Sequence, residues 1–376
     1  MLSFYLIWSL SYFTLLWWMS RFWSGRNDFP LTHSFSPLVT LVIPLRNEEE
    51  NIPDLILSLK KLQYPNLEIL LVDDYSDDGS FQSLMKGVEG MANVKLLYSL
   101  NPGKKSALEY AVKLATGEII LCSDADCRFP EFWVEKMILP FQNDSTQLVA
   151  GPVLVEGKGK FMELFQVLDW ASILLMTSYS FANKFPLMCS GANLAYRKEA
   201  FQSVKGYQGN REFASGDDEF LLKKIHKIYG EDACCYFCSP DTLVYTKPAA
   251  SWKSMINQRI RWASKWKAHF SVSHAISAVG AFFVQLGWIG SFSLLFLGQK
   301  GVLTFGVVWL IKIVAERISL GKVLKTFGIE LSNLSRIQTS FVHSFYVLCV
   351  GIGGLRGKFI WKGRGNWRSV NLESEI

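Results

Sequence analysis

Two carboxylates one residue apart follow a strongly apolar run near the middle of the chain. The segment 117–130 reads GEIILCSDADCRFP, so Asp124 and Asp126 come shortly after the apolar residues 119–122. Mg²⁺ and Mn²⁺ favour oxygen ligands, and one or two carboxylates often hold them together with substrate phosphates. A D-x-D pair alone is a weak signal, but at the end of a buried strand it predicts a divalent metal site.

A second acidic cluster, DDYSDDGS, occupies residues 73–80. A turn followed by a helix N-cap at Asp78 or Ser80 explains part of it. It does not explain Asp73 and Asp74, which come directly after the apolar run 67–72. A carboxylate in that place can accept a hydrogen bond from a ribose hydroxyl or a base N–H, so the pair is a candidate for binding a nucleoside.

A third acidic cluster lies in SGDDEFLL, residues 215–222. A carboxylate within hydrogen-bond reach of a substrate hydroxyl can act as a general base, and Asp218 is the candidate, with Asp217 beside it. The alternative is purely structural, because acidic residues at a helix N-terminus are favoured by the helix dipole. This cluster alone does not decide between the two.

The elements between these clusters alternate between strands and helices. Apolar, β-branched runs predict strands, and apolar residues at helical spacing predict helices. Because the strands are apolar on both faces, the pattern indicates an α/β fold with a mostly parallel sheet covered by helices. Ligands bind such sheets at the carboxyl ends of the strands. Three of the predicted strands end in polar or acidic residues: 46–48 after the first strand, 73–74 after the second and 124–126 after the fourth. The predicted strands are 39–45, 67–72, 94–98 and 117–122, and the predicted helices are 49–62, 80–87 and 104–115.

Apolar segments flank this soluble part on both sides. The first twenty residues carry no charge and are long enough to cross a bilayer as a helix, and the arginines after them favour a cytoplasmic position for the next domain. Further apolar stretches lie at 271–297, 302–320 and 337–355. Lys312 and Glu316 interrupt the middle stretch and would pair along one helix face, so three or four membrane segments are expected.

This pattern predicts five successive regions. A helix over 251–270 would carry four apolar side chains toward the lipid interface, those of Trp252, Ile256, Ile260 and Trp266. Of these, Trp266 lies outside the residues that the structure describes. The regions are an N-terminal transmembrane helix, 1–23; a cytoplasmic catalytic domain, 37–248; an amphipathic interfacial helix, 249–270; C-terminal membrane helices, 271–358; and a basic tail, 359–376.

The net charge is +6, and the basic residues are unevenly placed. Residues 242–315 contain no Asp or Glu, which favours contact with anionic lipid headgroups or with a phosphate-bearing ligand. No nucleic-acid-binding module accompanies this basic stretch, so nucleic acid is not an expected partner. The seven cysteines are expected to be reduced thiols of a cytosolic domain.

Several short motifs, taken in order, resemble those of family 2 glycosyltransferases, which have the GT-A fold. Each is weak alone, and together they cover residues 39–262. The last one resembles the Q-x-x-R-W motif of the membrane-associated members. The motifs are IPLRNEEENI, LLVDDYSDDGS, PGKKSAL, LCSDAD, CSGANLAYRKEAF, SGDDEFLL and QRIRW.

The resemblance implies a role for each matching residue. Asp218 would be the catalytic base, and Asp124 and Asp126 would hold Mg²⁺ or Mn²⁺. Lys105 has no family role and is expected to be a solvated residue at a helix start. The residues implied in binding the nucleotide sugar are Pro44, Arg46, Glu48, Asp73, Asp74, Lys104 and Asp124. Those implied in contacting the diphosphate or the acceptor are Asp217, Gln258, Arg261 and Trp262.

The resemblance further implies an inverting, metal-dependent enzyme of the cell membrane with its catalytic domain in the cytoplasm. It would transfer a sugar from a nucleotide-diphosphate sugar to a glycan or a lipid-linked acceptor, in contact with membrane lipids. Two alternatives stay open. One is a processive polysaccharide synthase subunit, and the other is a membrane protein that binds a nucleotide sugar without turnover.

Overall fold

The computed structural model describes residues 1–23, 35–157, 159–211, 213, 215–264 and 272–356. The chain divides into two compact units. We call one the sheet unit, which comprises the described parts of 35–154 and 183–247. The other is the helical unit, which comprises those of 1–23, 155–182 and 248–356.

The sheet unit is built on a seven-stranded sheet. Its strand order is β3-β2-β1-β4-β8-β6-β9, and the pairs β3-β2, β2-β1, β1-β4 and β6-β9 are parallel whereas β8 runs antiparallel to β4 and β6. The mostly parallel sheet predicted from the sequence is therefore confirmed. The strands are β1 Val39–Leu45, β2 Leu67–Asp73, β3 Val94–Tyr98, β4 Ile119–Cys122, β5 Cys127–Arg128, β6 Leu148–Ala150, β7 Val153–Val155, β8 Leu194–Arg197, β9 Cys234–Tyr236 and β10 Val244–Thr246.

Helices cover the sheet, and its central strands are therefore buried on both faces. Every residue of β1, β2 and β4 is buried, which explains their uninterrupted apolar runs. A small second sheet has the order β5-β10-β7. The helices of this unit are α2 Ile52–Lys61, α3 Ser80–Gly87, α4 Lys104–Leu114, α5 Trp133–Ile138, α7 Lys198–Ser203 and α8 Asp217–Tyr229.

The helical unit contains the helices long and apolar enough to cross a membrane. Within the described residues, three segments meet that criterion: Leu2–Arg21, Val279–Phe296 and Asn333–Arg356. They correspond to the first, second and last apolar stretches of the sequence. The helices of this unit are α1 Leu2–Arg21, α6 Phe161–Ala182, α9 Trp252–Ala263, α10 Val272–Gly290, α11 Gly298–Thr326 and α12 Asn333–Arg356.

The charges that interrupt α11 are paired inside the helical unit. Lys312 is fully buried, and its Nζ donates to Glu316 and, at 2.9 Å, to the carbonyl of Ser340. Glu316 also accepts hydrogen bonds from the hydroxyls of Tyr12 and Ser340. The expected pair between Lys312 and Glu316 is present, and its partners on α1 and α12 offset the cost of burying the two charges.

The structure divides the chain differently from the sequence. Residues 155–182 group with the N- and C-terminal helices, although the sequence pattern placed them inside a domain spanning 37–248. Helix α6 is 22 residues long and apolar over most of its surface, with Asp169 and Gln166 buried in it. A helix that is apolar on all sides lacks the periodic pattern of a surface helix, so its sequence resembles that of a buried core segment. Only the packing of the folded chain shows that α6 belongs to the helical unit.

A buried carboxylate of the sheet unit gives a prediction about stability. Glu68, on β2, accepts hydrogen bonds from Thr40, Lys95 and the backbone N–H of Thr116 at 2.7–2.9 Å. Burial alone would raise its pKa, but these donors outweigh burial and lower the pKa from 4.5 to about 2. A carboxylate whose pKa is lowered on folding stabilises the fold at pH values above the pKa that it has in the unfolded chain. That contribution is lost as the pH falls toward 2, the pKa of the folded state.

Replacing Glu68 by Gln should therefore destabilise the full chain by on the order of 2 kcal/mol near neutral pH. Thermal unfolding in detergent, followed from pH 7 down to about pH 3, checks this, because the deficit relative to wild type should shrink through that range. Glu89→Gln, at an exposed position, is the matched control and should unfold like wild type. A deficit of equal size at both ends of the pH range would contradict the assignment.

Candidate active site

A lysine joins carboxylates from two distant parts of the chain. Lys104 begins α4, and its Nζ lies 2.7 Å from Oδ1 of Asp124 and 3.3 Å from Oδ2 of Asp217. Burial by itself would lower the pKa of Lys104, but Asp124 and Asp217 outweigh it and hold the pKa well above its ordinary value. The ammonium therefore stays charged at physiological pH, and it brings together the loop after β4 and the start of α8.

The backbone at Gly191 comes close to both acidic residues that begin α8. Its N–H donates to Oδ2 of Asp218 at 3.0 Å, and Oδ1 of Asp218 accepts from the N–H of Glu219. A Cβ at position 191 would lie 2.9 Å from Oδ2 of Asp217 and 3.5 Å from Nζ of Lys104. Only glycine leaves room for the carboxylate of Asp217 in its present position.

Replacing Gly191 by Ala should push Asp217 away from Lys104 and disturb Asp218, which shares the same helix turn. Because this displacement acts on the cluster itself, we expect at least a tenfold loss of turnover with little loss of fold stability. Gly209→Ala is a control for a glycine in open space, although its positive φ adds some backbone strain. Turnover by Gly191→Ala equal to that of wild type would show that the close approach has no functional consequence.

The loop after β4 holds Asp126 by two side chains. Oδ2 of Asp126 accepts from the hydroxyl of Thr246 on β10 at 3.0 Å, and Oδ1 lies 3.6 Å from the Cys127 thiol. Burial raises the pKa of Cys127 well above its ordinary value, so this neighbour stays a neutral thiol. Such hydrogen bonds fix the orientation of a carboxylate that is to serve as a ligand.

The donor set of this loop suits a hard divalent cation. Three carboxylates, from Asp124, Asp217 and Asp218, face a single ammonium on Lys104, which leaves an excess of negative charge. No group of three His, Cys, Asp or Glu side chains within the described residues is arranged around a common point. The carboxylates of Asp124 and Asp126 suit an ion whose remaining ligands are substrate phosphates and water, which is the usual arrangement for Mg²⁺.

The end of β2 places two buried carboxylates at the same sheet edge. Asp73 and Asp74 are each 2% exposed, and Oδ1 of Asp74 accepts from the N–H of Gly103 at 2.7 Å. Gly103 has φ 116°, a conformation that favours glycine, and it directly precedes α4. Oδ2 of Asp73 accepts from the N–H of Ser76, whereas its buried Oδ1 has no hydrogen-bond partner among the described residues. A buried acceptor without a partner is costly, which points to a donor supplied by a ligand.

The turn after β1 lies beside this pair. Nη1 of Arg46 donates to the carbonyl of Asp74 at 3.1 Å, and the N–H of Glu48 donates to the hydroxyl of Ser80. Pro44 is buried inside β1, opposite Val72 of β2. Asn47 and Tyr75 have φ of 49° and 57° in the two turns, a conformation that is strained for an aromatic residue and that clusters at functional sites.

The QRIRW segment belongs to the helical unit. It lies on α9, where Trp262 meets Trp170 of α6 edge-on at 5.6 Å between ring centroids. Gln258 accepts a hydrogen bond from Arg259, and Arg261 is half-buried. The apolar side chains of Trp252 and Ile256, which suggested a lipid-facing side, are half-buried against a cluster formed by Phe165, Met255 and Tyr346.

One sequence-based expectation is wrong. Lys105, expected to be a solvated residue at a helix start, is 6% exposed. Its Nζ donates to the carbonyls of Asn210 and Phe213 at 2.6 and 2.9 Å and lies 4.8 Å from the ring centre of Phe220 on α8. The residue therefore anchors the loop that leads into Asp217. Its partners are more than a hundred residues away in sequence, so no local pattern could reveal them.

Sequence reasoning also missed Asn193, which is fully buried in the CSGANLAYR segment. Its Nδ2 donates to the carbonyls of Pro152 and Thr242, and its Oδ1 accepts from the indole N–H of Trp133. These bonds fix the loop that carries Gly191. The only signal in the sequence was an amide side chain directly before the apolar residues of β8.

Comparisons with known proteins find relatives of a part of this chain. Residues 40–205 match the model of the family described as glycosyl transferase family 2. Poly-beta-1,6-N-acetyl-D-glucosamine synthase of Staphylococcus epidermidis is 26% identical over 233 residues, 60% of this chain and 53% of that protein, and its counterpart in Staphylococcus aureus is 27% identical over the same length. This chain therefore spans about half the length of these curated relatives.

A solved structure shares the fold over almost the whole chain. The mannosyltransferase PcManGT from Pyrobaculum calidifontis, in complex with GDP-Man and Mn²⁺, superposes with a TM-score of 0.59 at 16% identity and covers 94% of this chain and 98% of its own. At that identity the likeness speaks for the fold alone, and it confirms the GT-A architecture. Residues 40–205 therefore resemble a glycosyl transferase family 2 domain, and the fold is that of a GT-A protein.

Proposed function

We propose that this chain is a membrane-bound, inverting, divalent-metal-dependent glycosyltransferase. It takes a sugar from a nucleotide-diphosphate sugar and passes it to a glycan or a lipid-linked acceptor at the cytoplasmic face of the membrane. The observation that carries the proposal is the cluster in which Lys104 lies within 3.3 Å of both Asp124 and Asp217, with Asp218 next to the latter. Only the fold of the sheet unit brings these residues together.

Asp218 acts as the general base. An acceptor hydroxyl must lose its proton as it attacks the anomeric carbon, and a carboxylate in hydrogen-bond reach can take that proton. The N–H groups of Gly191 and Glu219 fix the two oxygens of Asp218 before substrate arrives. Attack from the face opposite the diphosphate inverts the anomeric carbon, which fits a site with a single candidate base.

Asp124 and Asp126 hold the divalent ion, Mg²⁺ or Mn²⁺, with the donor diphosphate. When bound, the ion neutralises the negative charge that the diphosphate gains on leaving. Thr246 and Cys127 orient Asp126 for this task, and Lys104 limits the repulsion between Asp124 and Asp217. PcManGT was crystallised with GDP-Man and Mn²⁺, which makes a divalent ion with a nucleotide sugar the first combination to try here.

The nucleoside binds at the end of β2. The unpartnered Oδ1 of Asp73 accepts a ribose hydroxyl or base N–H, and Asp74 fixes the turn at Gly103. Pro44, Arg46 and Glu48 shape the neighbouring turn, and the guanidinium of Arg46 adds a positive charge near the phosphates. Burial of Asp73 makes its pairing with a ligand donor worth more than the same contact in water.

The QRIRW helix contributes the remaining contacts. Arg261 and Gln258 bind the departing diphosphate, and Trp262 offers its ring to the acceptor. The support is chemical, since guanidinium groups pair well with phosphates and aromatic rings with sugar faces. Arg21 at the end of α1 and Arg26 shortly after it in the sequence favour the cytoplasmic orientation by the positive-inside tendency.

A second candidate is a processive polysaccharide synthase. It is favoured by the relatives in Staphylococcus, which are named poly-beta-1,6-N-acetyl-D-glucosamine synthases and are 26–27% identical to this chain. The two candidates differ in their products. A single-transfer enzyme adds one sugar to each acceptor whatever the donor supply, whereas a synthase yields chains that lengthen as donor is added. Product mass after incubation with excess donor separates them.

The experiment that tests the proposal uses the full chain in lipid nanodiscs. A panel of nucleotide-diphosphate sugars is offered with membrane lipid extracts as acceptors, and release of nucleoside diphosphate is measured. We expect release with at least one donor, its loss after chelation of divalent ions, and its return on adding Mn²⁺ or Mg²⁺. Donor binding without release under every combination would favour the non-catalytic alternative, and release unaffected by the chelator would refute the metal assignment.

A further inference from the structure

A small cavity in the helical unit combines apolar walls with two arginines. Its volume is about 60 Å³, and it lies among α1, α6, α11 and α12. Leu16, Leu168 and Leu320 contribute apolar walls, whereas Arg317 and Arg336 contribute guanidinium groups. The cavity therefore presents both cationic and apolar surface, which suits an amphiphile.

A buried hydroxyl in this cavity lacks a partner. Thr339 is 5% exposed and lines the cavity, and its Oγ1 forms no hydrogen bond with any described residue. Buried polar atoms are hydrogen-bonded in the great majority of cases. The hydroxyl of Thr339 is thus available to a polar ligand inside the cavity.

The charges around the cavity leave a positive excess. Glu316 also lines it, but this carboxylate already accepts hydrogen bonds from Lys312, Tyr12 and Ser340. Neither Arg317 nor Arg336 forms an ion pair with a carboxylate in the described part of the chain, although Nε of Arg336 donates to a backbone carbonyl. Guanidinium groups bind phosphate oxygens with two parallel hydrogen bonds, so this pair is suited to a phosphate.

The position of Arg336 suits a lipid headgroup. Arg336 lies in the first turn of α12, and its Nη1 is 3.4 Å from the place of a Cβ on Gly321, in the last third of α11. Arginines near helix ends reach the headgroup region, where lipid phosphates lie.

We propose that Arg317, Arg336 and Thr339 bind the phosphate of a membrane lipid, with its apolar chains lying along the walls at Leu168 and Leu320. The site lies in the helical unit and needs neither nucleotide sugar nor metal. It therefore goes beyond the proposed glycosyl transfer. Asp218→Asn should bind the lipid as wild type does, so a failure of the catalytic proposal leaves this one separately testable.

The test measures lipid retention by the full chain in neutral detergent with native mass spectrometry. The probe is phosphatidic acid, and diacylglycerol with the same acyl chains is the phosphate-free comparison. Wild type should retain phosphatidic acid in clear preference to diacylglycerol. Arg317→Gln and Arg336→Gln should each lower the affinity about tenfold, and Thr339→Val several-fold, while Thr339→Ser should keep the wild-type affinity.

Lys325→Gln is the matched control, because it removes one positive charge from an exposed position near the end of α11, outside the cavity. Thermal unfolding of each variant shows that it is folded, and Thr339→Val probes the site without a change of charge. Three results would overturn the proposal: equal retention of diacylglycerol, an equal loss in Lys325→Gln, or no loss in the two arginine variants. Competition by inorganic phosphate as effective as that by phosphatidic acid would overturn the assignment to a lipid.

Discussion

Replacing Asp218 by Asn is expected to lower kcat by roughly three orders of magnitude while donor affinity stays nearly unchanged. A positioned general base typically contributes a factor of about 10² to 10⁴, and the amide of asparagine cannot take the acceptor proton. Asn keeps the size of Asp, so its carbonyl oxygen can still accept from the N–H of Gly191 or Glu219. A loss confined to kcat is what removal of an interaction made only in the transition state predicts.

The measurement combines donor binding by calorimetry with release of nucleoside diphosphate, both on the full chain in nanodiscs. Asp144→Asn is the control, because this carboxylate is fully exposed in the same unit and lies 4.0 Å from its nearest partner, Arg197. It should match wild type in both assays. Should Asp218→Asn turn over like wild type, the base is another residue, whereas a loss of donor binding would place Asp218 on the donor instead.

The sequence predicted the fold well where the local pattern and the tertiary environment agree. Strands β1 and β3 have the predicted ends, and β2 and β4 differ by one or two residues. Because these strands are buried on both faces, their sequences are uninterrupted apolar runs. Polar and acidic residues of the following turns mark where the strands end. The acidic residues at these ends could be foreseen as one group because parallel strands share a carboxyl edge.

The sequence could not predict contacts that depend on distant partners. The juxtaposition of Lys104 with Asp217 joins residues more than a hundred positions apart, and the burial of Lys105 depends on a loop equally far away. A lysine at a helix start is usually solvated, so propensity alone favours the wrong answer there. Helix α6 shows the same limit, because its ionic partner lies on α9, some ninety residues later.

The ion pair between Asp169 and Arg259 gives the second prediction with a large expected effect. Asp169 on α6 is 5% exposed, and its Oδ2 accepts from Nε and Nη2 of Arg259 at 3.0 and 2.7 Å. The guanidinium lies 4.2 Å from the ring centre of Trp262 and 5.2 Å from that of Trp170. Replacing Asp169 by Ala leaves a buried arginine without its counter-charge, which typically costs about 3–5 kcal/mol. We expect a large drop in the unfolding temperature of the full chain.

The exposed pair of Lys184 and Asp232 supplies the control, because Asp232→Asn removes a carboxylate that water already solvates. Its unfolding temperature should equal that of wild type. The double variant Asp169→Ala with Arg259→Gln should be more stable than Asp169→Ala alone, because removing the second charge relieves the first loss. If the double variant is instead as unstable as the two single losses added together, the pair is not coupled. The packing of Trp262 against Trp170 would then be held by apolar contact rather than by the buried ions.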